Sequence, residues 1–297
     1  CLKPNMTKVG FIGLGIMGFP MSSHLSTKGF DTAIYNRTKE TSKKWSDLYK
    51  GIIKSSPQDL AKSVNFIIMC VGNDDDVKEI LFGKEGIYTH LNPETILIDH
   101  TTTSAELSKE VSAKLKEKNC HYLDAPVSGG QVGAEEGSLT IMVGGDKEAY
   151  RNSIDIMNSY AKYIKYMGPS GAGQLTKMVN QIAIAGLLQG LSEAVNFSEK
   201  AGLDSEDVFN VISKGAAQSW QMDNRWQTMV RDEFNFGFAV DLMRKDLDIV
   251  SDEAKRIKAN INVTELVNNF YKQVQKDGGG RLDTSSLIKR IKKLPQN

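Results

Sequence analysis

The chain has 297 residues, a length that predicts about two domains and a sizeable core. Its 37 Lys and Arg residues nearly balance 36 Asp and Glu residues, and the net charge of +1 gives no electrostatic reason to expect nucleic acid or an anionic membrane as a partner. The three cysteines, Cys1, Cys70 and Cys120, are too few and too widely spaced for a disulfide framework or a structural zinc site. We therefore expect a reducing compartment, the cytoplasm, and no nucleic-acid partner.

The start of the chain and its apolar runs give no sign of a membrane protein. The segment CLKPNMTK is polar and lacks the apolar region of a signal peptide, and Met6 fits a native start with leader residues before it. A removed targeting peptide stays an alternative. The most apolar runs, such as residues 65–71, are too short to cross a bilayer, so no membrane partner is expected.

The first half alternates β-branched runs with amphipathic stretches. Strands are predicted at residues 8–12, 32–36, 66–71, 96–99, 121–124 and 139–144. Helical patterns lie between several of them, for example over residues 17–28 and 105–118. Strand and helix in alternation predict an α/β fold with a Rossmann-type, doubly wound parallel sheet.

The pattern changes after Tyr166, where MGPSGAGQ indicates a turn. Residues 175–200 are apolar on more than one face, which predicts a helix buried on most sides, and the rest of the chain is mostly helical. A boundary near Gly168 gives a Rossmann domain at 1–168 and an all-α substrate and dimerisation domain at 169–297. The apolar helix predicts a homodimer or homotetramer, and the site is expected in the cleft between the domains.

The first predicted strand is followed by the pattern GxGxxG. Gly13 suits the tight turn, Gly15 the approach of backbone to a pyrophosphate, and Gly18 the contact of helix with sheet. Without its strand and helix the pattern is weak, and an incidental glycine-rich turn is the alternative. The predicted cofactor-binding residues of this turn are Gly13, Leu14, Gly15, Ile16, Met17 and Gly18.

The second strand ends in Asn36-Arg37-Thr38, where an NAD-specific site usually has Asp or Glu. Without that carboxylate a 2′-phosphate is not repelled, and the planar guanidinium of Arg37 can pair with it while the short side chains donate hydrogen bonds. These residues predict NADP as the cofactor, with NAD still possible. The alternative is that Arg37 is a solvated surface residue.

Two further segments carry polar groups suited to catalysis. Ser128-Gly129-Gly130 follows a strand, and such a turn exposes N–H groups beside a hydroxyl, which suits a carboxylate, although it can also merely connect two elements. Lys177 and Asn180 are three residues apart on the predicted long helix and so share a face. A lysine that reaches to solvent along an apolar helix is the alternative for Lys177.

Together these segments resemble the β-hydroxyacid dehydrogenases, the family of 3-hydroxyisobutyrate dehydrogenase, tartronate semialdehyde reductase and the glyoxylate and succinic semialdehyde reductases. The resemblance runs through nearly the whole chain. Its motifs, in the order of the family, are FIGLGIMG at 11–18, IDHTTTS at 98–104, DAPVSGG at 124–130, LTIMVGG at 139–145, GAGQLTKMVN at 171–180 and MRKDLDI at 243–249.

The resemblance implies roles for individual residues. Ser128, Gly129 and Gly130 become the carboxylate clamp, Lys177 the catalytic residue, and Asn180 a substrate-positioning residue. The other residues that the resemblance places at the cofactor are Val71, Gly72, Thr102 and Lys245. Many relatives have Leu-Pro at the first two of these positions, so Gly72 departs from the pattern. Gln181 stands where some relatives have a second asparagine, and no role is assigned to it.

These roles predict an NADP-dependent oxidoreductase of a small 3-hydroxy acid or semialdehyde, active on glyoxylate, succinic semialdehyde or tartronate semialdehyde. The hydroxyl must lose a proton as hydride leaves, and a partly desolvated Lys177 can accept it. The alternatives are an imine reductase-like enzyme, against which Lys177 counts, and a non-catalytic NADP-binding module, against which Lys177 and Asn180 both count. No metal is expected, because the four histidines lack ligand spacing and Asp74 to Asp76 suit a solvated loop or helix cap.

Overall fold

The computed structural model describes residues 7–293. Its strands are β1 (Lys8–Ile12), β2 (Asp31–Tyr35), β3 (Ile52–Ile53), β4 (Phe66–Met69), β5 (Ile96–Asp99), β6 (His121–Asp124), β7 (Val127–Ser128), β8 (Leu139–Gly145) and β9 (Ala161–Gly168). The helices of the first half are α1 (Gly18–Thr27), α2 (Lys39–Leu48), α3 (Pro57–Ala61), α4 (Asp74–Phe82), α5 (Ala105–Lys116), α6 (Gly130–Glu135) and α7 (Lys147–Met157). Those of the second half are α8 (Ala172–Lys200), α9 (Ser205–Ile212), α10 (Trp220–Val230), α11 (Val240–Ile257), α12 (Asn262–Val274) and α13 (Leu287–Lys293).

All nine strands form one sheet in the order β3-β2-β1-β4-β5-β6-β8-β7, with β9 also paired to β8. The strands from β3 to β6 in this order are parallel, joined by helical crossovers, so the predicted Rossmann-type α/β fold is confirmed. The sheet is not parallel throughout, because β8 runs antiparallel to β6 and β7. β3, β7 and β9 are not among the strands predicted from the sequence.

Side chains along the central strands point alternately to the two faces of the sheet, and both faces are buried. Phe11, Ile68 and Ile98 lie in one apolar cluster with Leu123, whereas Ile12, Ile67, Leu97 and Tyr122 lie in a second cluster. Because successive side chains of a strand point to opposite faces, both faces of the sheet are covered, as in a doubly wound fold.

Several helices start after a short polar side chain that accepts main-chain N–H groups. Asn73 caps α4 through the N–H of Asp76, and Ser104 caps α5 through the N–H of Leu107. Asp146 caps α7 by accepting from two N–H groups. Such caps satisfy donors that the first helical turn leaves unpaired.

The chain divides into two compact units, one up to Lys177 and the other from Met178. The second unit is all-α in its described residues and has two apolar clusters, one around Met243 and Tyr271 and the other around Trp226. The 29-residue α8 contains the division, which the sequence analysis expected at 168/169. Within residues 7–293, no helix has the length and apolar character needed to cross a membrane.

Candidate active site

The carboxyl ends of five parallel strands lie in one row. The paired residues are Tyr35, Ile12, Met69, Asp99 and Asp124, each beside the next across the sheet. The segments that follow them therefore leave the sheet at the same edge, which is where open α/β sheets bind ligands. Most of the predicted cofactor residues lie in these segments.

The glycine turn has the space and conformation that a pyrophosphate needs. Gly13 has φ +94°, and a Cβ there would meet the Cys70 carbonyl oxygen at 2.2 Å. A Cβ at Gly18 would lie 1.8 Å from the Gly13 carbonyl oxygen, whereas one at Gly15 would meet nothing within 4 Å. α1 has no side-chain cap and no acidic residue in its first turn. The turn therefore fits a bound dinucleotide, with Gly15 facing open space and helix N–H groups available to an anion.

Of the three residues after Tyr35, Asn36 supports the glycine turn and the other two are exposed. Asn36 accepts a hydrogen bond from the Leu14 N–H at 2.9 Å and donates to the Thr38 carbonyl at 3.0 Å, so its amide braces the glycine turn. Arg37 and Thr38 are exposed. No acidic side chain occupies positions 36–38, so a guanidinium is available here for a 2′-phosphate without a competing carboxylate.

The ends of β4 and β5 are tied together beside this turn. The Val71 N–H donates to the Thr101 hydroxyl at 3.0 Å, and the Val71 side chain would be 3.2 Å from a Cβ at Gly13. Gly72 is exposed and Thr102 half-buried. The structure thus brings Val71 to the glycine turn, with Thr102 one residue beyond the Thr101 contact.

The Ser128-Gly129-Gly130 turn has a conformation that only glycine adopts easily. Ser128 ends β7, and Gly129 and Gly130 have φ of +131° and +61°. Both glycines are exposed, and a Cβ at Gly130 would meet nothing within 4 Å. The predicted clamp is therefore an open turn in which backbone groups are accessible to a ligand.

Lys177 is buried, with only 8% of its surface exposed, so it does not reach into solvent along α8. Its Nζ donates a hydrogen bond to the Val127 carbonyl oxygen at 2.9 Å. Val127 directly precedes Ser128, so the structure brings the predicted acid–base amine to the predicted carboxylate clamp.

Two buried carboxyls that the sequence analysis left without a role lie at the same sheet edge. Asp99 accepts from the Tyr122 hydroxyl at 2.8 Å and from the Thr101 N–H at 2.9 Å. Asp124 accepts from the Gly171 N–H at 2.8 Å and the Gln174 N–H at 3.0 Å. Burial raises the pKa of each carboxyl to about 6, against the lowering effect of these hydrogen bonds.

His100, the residue after Asp99, is a buried structural histidine. Its Nδ1 lies 2.6 Å from the Ala125 carbonyl oxygen and its Nε2 lies 2.9 Å from the Tyr160 hydroxyl. Because a carbonyl only accepts, Nδ1 carries the proton and Nε2 accepts from Tyr160. Burial lowers the pKa of His100 to about 4, so the ring is neutral at neutral pH.

In the second unit, two hydrogen bonds and an ion pair connect two predicted site residues. The Asn180 amide donates to Gln181 Oε1 at 2.9 Å, and Gln181 donates to Asp246 at 2.7 Å. The other carboxylate oxygen of Asp246 lies 3.2 Å from the Lys245 Nζ. Gln181, which the sequence analysis left unassigned, thus links Asn180 to Lys245 through the buried Asp246.

Nothing in the described part of the chain suggests a metal centre: residues 7–293 contain no cluster of three His, Cys, Asp or Glu side chains able to hold an ion. Asp74 to Asp76 form the first turn of α4, where negative charges interact favourably with the helix dipole. Asp74 also accepts from the Ser104 hydroxyl at 2.6 Å.

Two family models match the two halves of this chain. The family model for the NAD binding domain of 6-phosphogluconate dehydrogenase matches residues 8–168. The model for the NAD-binding region of NADP-dependent 3-hydroxyisobutyrate dehydrogenase matches residues 171–291. Together the two family models account for most of the chain.

Relatives that match this chain over almost their full length are oxidoreductases by name. A Shewanella frigidimarina oxidoreductase is 49% identical over 97% of this chain and 99% of its own length. The Escherichia coli 2-hydroxy-3-oxopropionate reductase is 31% identical over 96% and 97% of the two chains. The structure of Mycobacterium tuberculosis 3-hydroxyisobutyrate dehydrogenase with L-serine has a TM-score of 0.87 at 27% identity, over 96% of this chain and 99% of that one.

A Rossmann unit with an open glycine turn, joined to a helical unit of this type, defines an NAD(P)-dependent oxidoreductase that acts on hydroxy acids. The matches extend over both units and over almost the full length of the relatives. The chain belongs to the β-hydroxyacid dehydrogenase family.

Proposed function

We propose that the protein transfers hydride between NADP(H) and a small 3-hydroxy acid or the corresponding semialdehyde acid, with Lys177 as general acid and base. The observation that carries this proposal is the buried Lys177 amine, 2.9 Å from the carbonyl oxygen of the residue before Ser128. An amine in this position can exchange a proton with a substrate whose carboxylate is bound by the Ser-Gly-Gly turn.

Lys177 can remain anchored through the whole proton transfer. As an ammonium it donates to the Val127 carbonyl oxygen, and as a neutral amine it still has N–H groups to donate to the same oxygen. During oxidation Nζ accepts the proton of the substrate hydroxyl; during reduction it returns that proton to the developing alkoxide. Bound NADP supplies the hydride acceptor, and NADPH the hydride donor.

Substrate and cofactor orientation follow from the remaining site residues. Ser128, Gly129 and Gly130 bind the carboxylate through a hydroxyl and main-chain N–H groups. Asn180 positions the reacting end, with its amide oriented by Gln181. Thr102 and Lys245 would hold the cofactor, a role that the family resemblance implies for them.

The choice of NADP over NAD rests on the segment after β2. Arg37 is exposed, and no carboxylate at positions 36–38 repels a 2′-phosphate. The choice of a 3-hydroxy acid is supported by the M. tuberculosis relative studied with L-serine, which is itself a carboxylic acid with a hydroxyl on C3. The name of the E. coli relative identifies a hydroxy-oxo acid as its substrate.

The test is a screen of glyoxylate, succinic semialdehyde, methylmalonate semialdehyde and a cyclic imine with NADPH and NADH, using the wild-type protein and Lys177→Ala. We expect NADPH-dependent turnover that the substitution lowers by about 1,000-fold, while NADPH binding is retained. Lys200→Ala, at the exposed end of the same helix, is the matched control. Near-full turnover by Lys177→Ala rejects the mechanism, and turnover of cyclic imines alone favours the imine reductase alternative.

We also propose that the protein is a homodimer or homotetramer. Three apolar side chains of α8, Val179, Leu187 and Phe197, are 66%, 43% and 72% exposed, which is costly for large apolar groups in water. Sedimentation at equilibrium should give a mass of at least two chains; a single-chain mass at micromolar concentration contradicts the proposal. The cytoplasmic location is likewise proposed, and cell fractionation tests it.

A further inference from the structure

The first turn of α8 is capped by a side chain that is distant in sequence. The residue before the helix is Gly171, which has φ +93° and no side chain to accept from the first N–H groups. Asp124, at the end of β6, fills this role: its two carboxylate oxygens accept from Gly171 and Gln174, 47 and 50 residues away. A negative charge at the N-terminus of α8 also interacts favourably with the helix dipole.

The main chain of two neighbouring glycines packs directly against the Asp124 carboxylate. A Cβ at Gly144 would lie 2.6 Å and 2.8 Å from the two carboxylate oxygens of Asp124. A Cβ at Gly173 would lie 2.4 Å from the Asp124 carbonyl oxygen and 2.9 Å from its Oδ2. Glycine at both positions therefore lets β6, β8 and α8 enclose the carboxylate, which is fully buried.

The same helical turn is held by a second buried side chain. Gln174 donates from Nε2 to the Thr101 carbonyl oxygen at 2.8 Å and accepts at Oε1 from the Thr103 N–H at 3.1 Å. Lys177 follows one turn later and donates to Val127. The segment 124–127 thus holds α8 twice, at its backbone through Asp124 and at its amine through Val127.

We propose that Asp124 is a positioning residue that sets the location of the Lys177 amine by capping and fixing the first turn of α8. The proposal rests on the proposed function of Lys177. Asp124 does not contact the reacting atoms in this scheme; it acts through the helix. Loss of the cap frees two N–H donors, loosens the first turn and lets the amine move away from the Ser128 turn.

The decisive variant is Asp124→Asn, which keeps the side-chain volume but turns an NH₂ group toward one of the two N–H donors. We expect kcat to fall by about 100-fold, as for a displacement of about 1 Å in a reacting group, with the Kd for NADPH unchanged within about twofold. Amide hydrogen exchange over residues 171–177 should become faster by at least about tenfold.

Asp146→Asn is the matched control, because Asp146 also caps a helix of the same unit through two main-chain N–H groups, and α7 holds no predicted site residue. It should lower Tm and leave kcat unchanged. A merely structural role for Asp124 predicts the same pattern in Asp124→Asn: a lower Tm with wild-type kcat below the transition. That result overturns the proposal.

If Asp124→Asn does not fold, the decision passes to Asp124→Ser, a smaller side chain that lacks the two carboxylate oxygens that accept from the Gly171 and Gln174 N–H groups. A lower kcat with unchanged NADPH affinity and faster exchange at 171–177 supports the anchored turn, and a wild-type kcat overturns it. Lys177→Ala is measured in parallel. An inactive Lys177→Ala with a fully active Asp124→Asn rejects only the positioning role, whereas an active Lys177→Ala rejects the proposed function and the positioning role together.

Discussion

Alanine substitutions at two glycines of the same turn should separate folding from cofactor binding. A Cβ at Gly18 would lie 1.8 Å from the Gly13 carbonyl oxygen and 3.0 Å from the Phe11 ring, and the main-chain carbonyl cannot rotate away as a flexible side chain does. A Cβ at Gly15 would have no heavy atom within 4 Å, and Gly15 has no positive φ. The two methyl groups therefore perturb different properties.

The magnitudes follow from these contacts. Overpacking costs about 1–3 kcal/mol or more, and contact with a fixed carbonyl puts Gly18→Ala near 3 kcal/mol. At about 2–4 °C per kcal/mol, Tm should fall by roughly 10 °C. Gly15→Ala should leave Tm within about 2 °C, since Ala restricts the unfolded chain without strain in the folded one. Its methyl group occupies the space through which the pyrophosphate approaches, so the Kd for NADPH should rise at least about tenfold.

Thermal unfolding followed by circular dichroism measures the first property, and titration of NADPH fluorescence measures the second. Equal Tm values for Gly15→Ala and Gly18→Ala would refute the steric reasoning. Wild-type NADPH affinity in a folded Gly15→Ala protein would refute the assignment of this turn to the pyrophosphate.

Three further predictions concern charge. Arg37→Ala should raise the Kd for NADPH about tenfold or more and leave that for NADH unchanged in fluorescence titrations; equal effects on both cofactors contradict 2′-phosphate recognition. Burial raises the pKa of Asp99 from 3.8 to about 6, so its contribution to stability is present below about pH 4 and is lost as pH rises through 6. Urea titrations of the wild type and of Asp99→Asn give the difference between their free energies of unfolding. From about pH 4 to pH 7 this difference should change by at most about 3 kcal/mol, to the disadvantage of the wild type. A change in favour of the wild type would contradict the raised pKa of Asp99. Asp283→Ala leaves the guanidinium of Arg225, 3.0 Å from the buried carboxylate, without its partner and should cost about 3–5 kcal/mol in the same assay; a cost below about 1 kcal/mol shows that this pair is dispensable.

Strands with strong local patterns were predictable from the sequence. β1, β5 and β6 have the predicted bounds, and each contains adjacent apolar residues that are buried in the sheet. β3 has only two residues, both exposed, and so gives no periodic signal. β9 lies beside β8 and carries exposed lysines at 162 and 165, which dilute its alternation.

Parts of the candidate site that depend on a short local pattern were predictable from the sequence, and parts that depend on distant contacts were not. The glycine turn and the Ser128 turn are short patterns whose backbone needs are visible in the sequence. The partners of Asp124 lie 47 and 50 residues away, and no periodicity within β6 or α8 indicates that they meet. Gln181 was missed because neighbours in a helix do not usually face each other, yet its amide accepts from Asn180 and also reaches Asp246, 65 residues on.

The groups that hold the start of α8, from the Thr101 main-chain carbonyl to the Gln174 side chain, all precede the division of the chain after Lys177. A chimaera joined after that residue would keep the amine, its carbonyl partner and the capping carboxylate encoded together while importing the helical unit of a relative. Recombination at this point offers a route to new selectivity in which the proposed acid–base residue and the groups that hold it are inherited together.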